Sequence, residues 1–277
     1  MHLVFDVGNT ETVIGLFRPG ELGVERSWRY STALPRTPDE LRLLLEAFVR
    51  EAGFEGDALE RCVVGSVVPA HTEVLLRALA RLTRTPALVI DGVSELPIRL
   101  AVEEPLTVGP DRIVNTLAAK HLYGRDTVVV DLGTATTYDC ITGEGVFLGG
   151  VIAPGVLAGQ DWLKGRTAKL PRVDLHPPDR VIGRRTESCL QSGLFFSIVD
   201  AVDGIVTRIR EEWERPGALV VATGGFAPIL APHSRTVERV EPHLTLLGLE
   251  LAGRHLEGDQ DGGGRGVEAA SGATLPS

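Results

Sequence analysis

One short pattern occurs twice in this chain, and it constrains the fold more than any other feature. Each copy is an apolar, β-branched run followed by an aspartate, a spacer, a glycine and small polar residues, and then a second apolar run. Such an order predicts a strand, a tight turn and a second strand. Because the order recurs at a distance, it predicts two related halves. The two copies span residues 3–17 and 127–142.

The turn in each copy has the chemistry of a phosphate-binding loop. Gly8 and Gly133 carry no side chain, so a ligand can approach the backbone closely. Successive backbone N–H groups in such a turn form a concave anion site. Asp6 and Asp131 repel phosphate, so they must act through a cation or a water. The alternative is two hairpins whose Asp and Gly only make turns; the agreement of two copies favours metal-assisted phosphate binding.

Between and after these copies, apolar strands alternate with amphipathic helices. Residues 62–69 read as a buried strand followed by a helix, and residues 87–90 as a further strand. Thr37 and Glu40 have the spacing of a capping box at the start of another helix. This alternation predicts an α/β layered fold with a mostly parallel sheet core.

Composition excludes several classes of function. The net charge of −9 argues against a nucleic-acid partner. The three cysteines lie far apart without metal-ligand spacing, which suits a reducing compartment. No apolar run reaches the roughly 18 residues of a membrane span, and the N-terminus lacks the pattern of a signal peptide. We therefore expect a soluble, cytoplasmic protein that binds neither nucleic acid nor membrane, with a disordered tail at residues 257–277.

Four further motifs contain glycine. Gly109-Pro110-Asp111-Arg112 leads straight into a helical pattern, where free N–H groups and the helix dipole favour anions. On its own this tetrad is more typical of a helix-dipole aspartate with a solvated arginine, and only the surrounding motifs favour a substrate site. The helix start and Arg112 should keep Asp111 ionised. The other motifs are Gly149-Gly150 with Pro154-Gly155, Gln191-Ser192-Gly193 and Thr223-Gly224-Gly225.

These motifs, together and in this order, resemble the type III pantothenate kinase family. The duplicated turns and the late Gly-Gly turn are similar to those of the wider acetate and sugar kinase, Hsp70 and actin superfamily. The resemblance implies an α/β fold of duplicated actin-like (ribonuclease H-like) domains with an ATP cleft between them. It implies halves at residues 1–115 and 116–256. It also implies ATP-dependent phosphorylation of pantothenate, the first step of coenzyme A biosynthesis.

The resemblance also implies a role for individual residues. Asp111 would be the catalytic base. Asp6 would lie near magnesium, directly or through a water, and Asp131 would bind a monovalent cation, potassium or ammonium. The implied ATP-binding residues are Asp6, Val7, Gly8, Asn9, Thr10, Thr134, Thr223, Gly224 and Gly225. The implied substrate-binding residues are Val102, Gly109, Pro110, Asp111, Arg112 and Thr186.

One position departs from the family pattern. Val102 stands where family members usually carry a tyrosine that contacts the substrate. The departure leaves open a kinase of the same superfamily with another small substrate, and the fold also leaves open a non-catalytic transcriptional accessory factor. Thr186 could be only a helix N-cap. The family implies a homodimer, and the predicted helix over residues 186–214 has an apolar stripe that could form its interface; the stripe is Leu190, Leu194, Ile198, Val202 and Ile205.

Overall fold

A computed structural model describes residues 1–166 and 170–258, and these residues form two compact units. Unit 1 comprises Met1–Leu122, Gly145–Phe147 and the segment from His243 to the end of the described chain. Unit 2 comprises Tyr123–Glu144 and Leu148–Pro242. Each unit contains one of the two repeated hairpins, so the duplication predicted from the sequence is confirmed.

Unit 1 is built on a five-stranded sheet in the order β3-β2-β1-β4-β5. The first three strands are antiparallel neighbours, whereas β4 and β5 run parallel to β1. A short sixth strand pairs with Val146 and Phe147 of the same unit. The strands are β1 (His2–Val7), β2 (Glu11–Phe17), β3 (Val24–Ser31), β4 (Arg61–Ser66), β5 (Leu88–Ile90) and β6 (Arg99–Leu100).

Helices cover both faces of this sheet. The predicted capping box begins α1: the Glu40 N–H donates to Thr37 Oγ1, and the Glu40 carboxylate accepts from the Thr37 N–H at 2.8 Å. Helices α1 and α2 bury their leucines against one face, and α3 and α7 bury theirs against the other. The helices are α1 (Pro38–Glu51), α2 (Pro69–Leu82), α3 (Pro110–Tyr123) and α7 (Leu244–Leu256).

Unit 2 repeats the strand arrangement of unit 1. Its sheet has the order β9-β8-β7-β10-β11, with β7 and β8 antiparallel and with β10 and β11 parallel to β7. The strands are β7 (Thr127–Leu132), β8 (Ala135–Ile141), β9 (Val146–Pro154), β10 (Leu219–Thr223) and β11 (Arg239–Val240). The helices are α4 (Ala158–Arg166), α5 (Thr186–Glu212) and α6 (Ala227–Leu230).

The long helix α5 buries one face in unit 2 and leaves most of the predicted stripe partly exposed. Of the predicted stripe, only Val202 is buried, and the other four residues are half-exposed. The buried face instead carries Phe195, Val199 and Val206, one helical step away. Of the described helices, α5 alone is long and apolar enough to cross a membrane, but a helix that packs in a soluble core passes the same test.

The compact units do not follow the predicted division at residue 115. Helix α3 lies wholly in unit 1 up to Leu122, because its apolar face packs against the first sheet. Helix α7 also belongs to unit 1, although it follows unit 2 in sequence. The leucines of α7 pack on β1 and β4, and this contact explains why the chain returns to unit 1 after forming unit 2. The predicted disordered tail lies outside the described residues from residue 259 onward.

Candidate active site

The first phosphate motif forms the turn between β1 and β2. The Gly8 N–H donates to the Glu11 carbonyl at 3.1 Å, which closes the turn. A side chain on Gly8 would lie 3.1 Å from that carbonyl oxygen, so glycine is favoured there. Asn9 and Thr10 are exposed at the tip, and Asp6 is half-buried at the end of its strand. The tip therefore offers backbone and side-chain donors to a ligand.

The substrate motif lies at the same end of the unit 1 sheet. Asp6 pairs in register with Gly65 on β4. Pro110, the first residue of α3, is 3.7 Å from the position that a Gly65 side chain would occupy. Asp6 and the start of α3 therefore flank the same residue of β4. Unit 1 thus brings together two motifs that are about a hundred residues apart in sequence.

Asp111 is held in a conformation that depends on Gly109. A methyl group on Gly109 would overlap Asp111 Oδ1, because the carboxylate folds back over the glycine. Oδ1 is buried and accepts no hydrogen bond from the described residues. Burial raises the pKa of Asp111 above its ordinary value, and the N–H and charge of Arg112 only partly oppose the rise. Burial thus outweighs Arg112 in the direction of this pKa shift, which the sequence did not predict.

Arg112 is not a solvated surface residue. Its side chain is half-buried, and the guanidinium carbon lies 5.0 Å from the centre of the Phe147 ring. Phe147 is buried, so the pair forms a cation–π contact inside unit 1. Arg112 directly follows Asp111 in the chain, and its positive charge acts on the Asp111 carboxylate. The alternative of a solvated arginine beside a helix-dipole aspartate is not supported.

A groove of about 590 Å³ adjoins the substrate motif. Its volume lies in the range of small-molecule sites. Val102 is half-buried and is not among the residues that line it. The lining includes the end of β4, the start of α3 and the segment before that helix: Ser66, Val67, Thr107, Val108, Gly109 and Pro110.

In unit 2, the second phosphate motif packs against the Thr-Gly-Gly turn. Thr223 pairs in register with Asp131. Gly224 has a φ of +87°, and a side chain there would overlap Asp131 Oδ1 and lie 2.7 Å from the Leu132 carbonyl oxygen. Only glycine can therefore occupy this position. The contact places the predicted cation ligand and the predicted adenosine motif side by side.

The glycine-rich exit of β9 packs on the other side of this turn. A side chain on Gly155 would overlap the Thr134 backbone and lie 2.7 Å from the Gly133 carbonyl oxygen. That same oxygen accepts a hydrogen bond from the Val156 N–H at 3.4 Å. Gly155 therefore supports the second phosphate turn directly. The Pro-Gly pair was the available signal in the sequence, but no role was predicted for it.

Thr186 is the first residue of α5, and the N-cap is Arg185. The alternative that Thr186 is only an N-cap is therefore wrong. Its side chain is exposed on unit 2. Within residues 1–166 and 170–258, no group of three or more histidine, cysteine or carboxylate side chains forms a ready-made metal site. A magnesium ion here would need ligands from a bound phosphate, as is usual for this metal.

The family model that matches this chain and the similar proteins have the same family name. A family model described as type III pantothenate kinase matches residues 2–208. A Moorella thermoacetica protein named type III pantothenate kinase is 42% identical over 253 residues, covering 91% of this chain and 98% of the relative. A Syntrophotalea carbinolica protein of the same name is 43% identical over 254 residues, covering 91% and 97%.

Solved structures share the fold at low sequence identity. A Campylobacter jejuni protein placed provisionally in the Baf family of transcriptional activators has a TM-score of 0.57 and 16% identity, covering 92% of this chain and 99% of that protein. The activator of 2-hydroxyisocaproyl-CoA dehydratase from Clostridium difficile, solved with ADPNP, has a TM-score of 0.50 and 14% identity, covering 97% and 99%. The predicted actin-like α/β fold class is confirmed.

Proposed function

This chain belongs to the type III pantothenate kinase family, and we propose that it transfers the γ-phosphoryl group of ATP to the primary hydroxyl of pantothenate. The product is 4′-phosphopantothenate, the first intermediate of coenzyme A biosynthesis. The observation that carries the proposal is the Asp111 carboxylate, whose Oδ1 is buried over Gly109 at the start of α3, while Gly109 and Pro110 line the groove. The enzyme is a soluble, metal-dependent kinase, for which we propose a cytoplasmic location.

Each phosphate hairpin has a proposed share in nucleotide binding. In unit 1, residues 6–10 would donate backbone and side-chain hydrogen bonds to phosphate oxygens, with Asp6 near magnesium. In unit 2, Thr134 would contact ATP, and residues 223–225 would bound the adenosine. The oxygen atoms of Asp6 suit magnesium, which prefers hard ligands and keeps several waters. Magnesium supplies neutralising charge to the phosphates when bound.

Asp111 would act as the general base. The substrate hydroxyl gives its proton to the Asp111 carboxylate as its oxygen bonds to the γ-phosphorus. The bond from that phosphorus to the β–γ bridging oxygen breaks, and ADP leaves with the electron pair. Because burial raises the pKa of Asp111, its affinity for the proton is greater than that of an ordinary aspartate. A base with a pKa closer to the working pH is a better proton acceptor.

Arg112, Thr186 and Val102 are the proposed contacts to the rest of the substrate. Arg112 keeps its charge at any physiological pH, and its contact with Phe147 limits its motion. It therefore suits an anionic substrate such as a carboxylate. Val102 offers only an apolar contact where a tyrosine would add a hydroxyl. We expect substrate binding in this chain to depend more on Arg112 than on position 102.

An assay of ATP consumption with and without pantothenate tests the proposal. We expect ADP release that requires pantothenate, together with a product heavier by one phosphate in mass spectrometry. ADP release that requires a different small alcohol would indicate another kinase of the superfamily. Nucleotide binding without turnover on any such alcohol would indicate a non-catalytic protein and would overturn the proposal.

A monovalent cation at Asp131 gives the first prediction. Asp131 Oδ1 and the Leu132 carbonyl oxygen both lie at the Gly224 backbone, which creates an oxygen-rich corner. We expect activity to rise with potassium or ammonium and much less with sodium. Asp131→Ala should abolish the response to potassium. Asp200→Ala, which alters an exposed residue of α5, should leave that response unchanged. Equal initial rates of the wild type in sodium-only and potassium buffers would contradict the assignment.

The second prediction concerns assembly. The half-exposed residues of α5, such as Leu190, Leu194 and Ile198, form an apolar strip that a second copy could cover. We propose a homodimer that uses this strip. Light scattering at micromolar concentration should give about twice the 29.7 kDa chain mass, and Ile198→Glu should reduce it. A wild-type mass of one chain would exclude this dimer.

A further inference from the structure

Two buried hydrogen-bonded pairs lie side by side where α2 packs on β2 and β3. The Tyr30 hydroxyl and His71 Nε2 lie 2.8 Å apart, and both side chains are buried. Thr12 lies opposite Tyr30 in the register of β2 and β3. The hydroxyls of Thr12 and Thr32 lie 2.8 Å apart. We call these four polar side chains, from β2, α2 and the end of β3, the Tyr30 network.

One set of proton positions satisfies the centre of this network. The Tyr30 hydroxyl donates to His71 Nε2. Burial, with the charge of Arg36, lowers the pKa of His71 and leaves its ring neutral, as an acceptor must be. Burial also raises the pKa of Tyr30 to about 12, so the phenol keeps its proton. The network is therefore uncharged at neutral pH.

Both ends of the Tyr30 network are attached to the phosphate turn. At one end, the Thr32 N–H donates to the carbonyl of Thr10, the last residue of that turn, at 3.0 Å. At the other end, His71 lies in the first turn of α2. Just before this helix, the Val67 N–H donates to the carbonyl of Val7 at 3.1 Å. The network thus spans the two backbone segments that enter and leave residues 8–10.

We propose that Tyr30 and His71 are positioning residues that fix the first phosphate hairpin in its ATP-binding geometry. They do not reach the turn themselves; they act through Thr32 and through the start of α2. The inference rests on the proposed function, because it assigns the hairpin to ATP. A turn that presents several donors to phosphate loses affinity when its geometry relaxes, since the donors no longer converge.

Tyr30→Phe tests the proposal, because it removes only the hydroxyl. The matched control is Trp28→Phe on the same strand, which removes the 2.6 Å hydrogen bond from Trp28 Nε1 to Glu51. That bond leads to α1 and away from the turn. Both variants lose one hydrogen bond, worth about a three- to tenfold effect. We expect the KM for ATP and the Kd for ADP to rise by that factor in Tyr30→Phe only, with the KM for pantothenate unchanged.

Two further variants keep the test decisive if Tyr30→Phe folds poorly. His71→Gln retains an acceptor for the tyrosine hydroxyl and should keep most of the ATP affinity, whereas His71→Leu should lose it. The wild type is assayed first, so its failure to phosphorylate pantothenate would count against the proposed function alone. An unchanged KM for ATP in Tyr30→Phe and His71→Leu, or an equal rise in Trp28→Phe, would overturn the positioning role.

Discussion

Asp111→Asn should lower kcat by about 10²–10⁴-fold, the usual effect of losing a general base. Asparagine keeps the shape of the side chain but cannot take the proton of the substrate hydroxyl. The substitution should leave the KM for ATP nearly unchanged, since the phosphate and adenosine motifs are intact. The melting temperature should not fall, because burying a neutral amide costs no more than burying a carboxylate whose Oδ1 has no hydrogen-bond partner among the described residues.

The pH profile separates a base from a structural residue. A base works only when deprotonated, so kcat should fall as the pH drops through the pKa of Asp111. Because burial raises this pKa above the ordinary value of 3.8, the acidic limb should lie above the range of an exposed aspartate. Asp111→Asn should remove this limb from the residual activity. An acidic limb that persists unchanged in Asp111→Asn, or near-normal kcat in the variant, would exclude Asp111 as the base.

Gly109→Ala provides an independent check on the same carboxylate. The added methyl group would overlap Asp111 Oδ1 and must displace it. A misplacement of about 1 Å can cost roughly 10²-fold in rate, so we expect a large loss of kcat in a folded enzyme. Gly23→Ala is the matched control, because nothing lies within 4 Å of its added methyl group. Equal kcat in the two alanine variants would contradict the proposed placement of the base.

The sequence predicts the parts of this fold that depend on local pattern. Both hairpins follow from an apolar run, an aspartate and a glycine, and the start of α1 follows from the spacing of Thr37 and Glu40. Each of these signals depends only on residues that are close together in the chain, so it can be recognised in a single sequence. The fold class and the family follow because six such motifs occur in one order. The roles of Asp6, Asp131 and Thr186 stay predictions, since no bound ligand tests them.

Features that depend on distant contacts are not predictable in this way. The pKa of Asp111 rises because the folded chain buries its carboxylate, whereas the sequence displays only the neighbouring Arg112 and the helix start. The Tyr30–His71 pair joins residues 41 positions apart, and neither belongs to a recognisable motif. The face that α5 buries, with Phe195, Val199 and Val206, is likewise set by contacts with distant parts of unit 2.

The return of α7 to unit 1 is the largest such departure, and a buried charge cluster accounts for part of its stability. Glu250 on α7 is completely buried. Its Oε1 accepts hydrogen bonds from His2 Nδ1 and Arg254 Nε, both at 2.8 Å, and lies 3.6 Å from Arg61 Nη1. His2 and Arg61 are paired neighbours on β1 and β4. Arg61 also donates to Glu257, beyond the end of α7, at 2.6 Å.

Glu250→Gln should therefore cause a large loss of stability. The change removes the central negative charge and leaves the buried Arg61 with less compensation. Breaking a buried ion pair in this way costs about 3–5 kcal/mol. For a chain of this size, such a loss lowers the melting temperature by roughly 6–20 °C. Activity of the folded fraction should persist, because the cluster lies at the opposite end of β1 from the phosphate turn.

The matched control uses the same substitution at an exposed pair. Glu25 accepts two hydrogen bonds from Arg18, at 3.0 and 2.8 Å, but both side chains are substantially exposed. Water can replace such contacts, so Glu25→Gln should change the melting temperature by only a small fraction of the Glu250→Gln effect. Calorimetry of both variants measures the two melting temperatures. If the two melting temperatures fall equally, burial of the cluster is not what holds α7, and the apolar contacts of its leucines with β1 and β4 must account for its return.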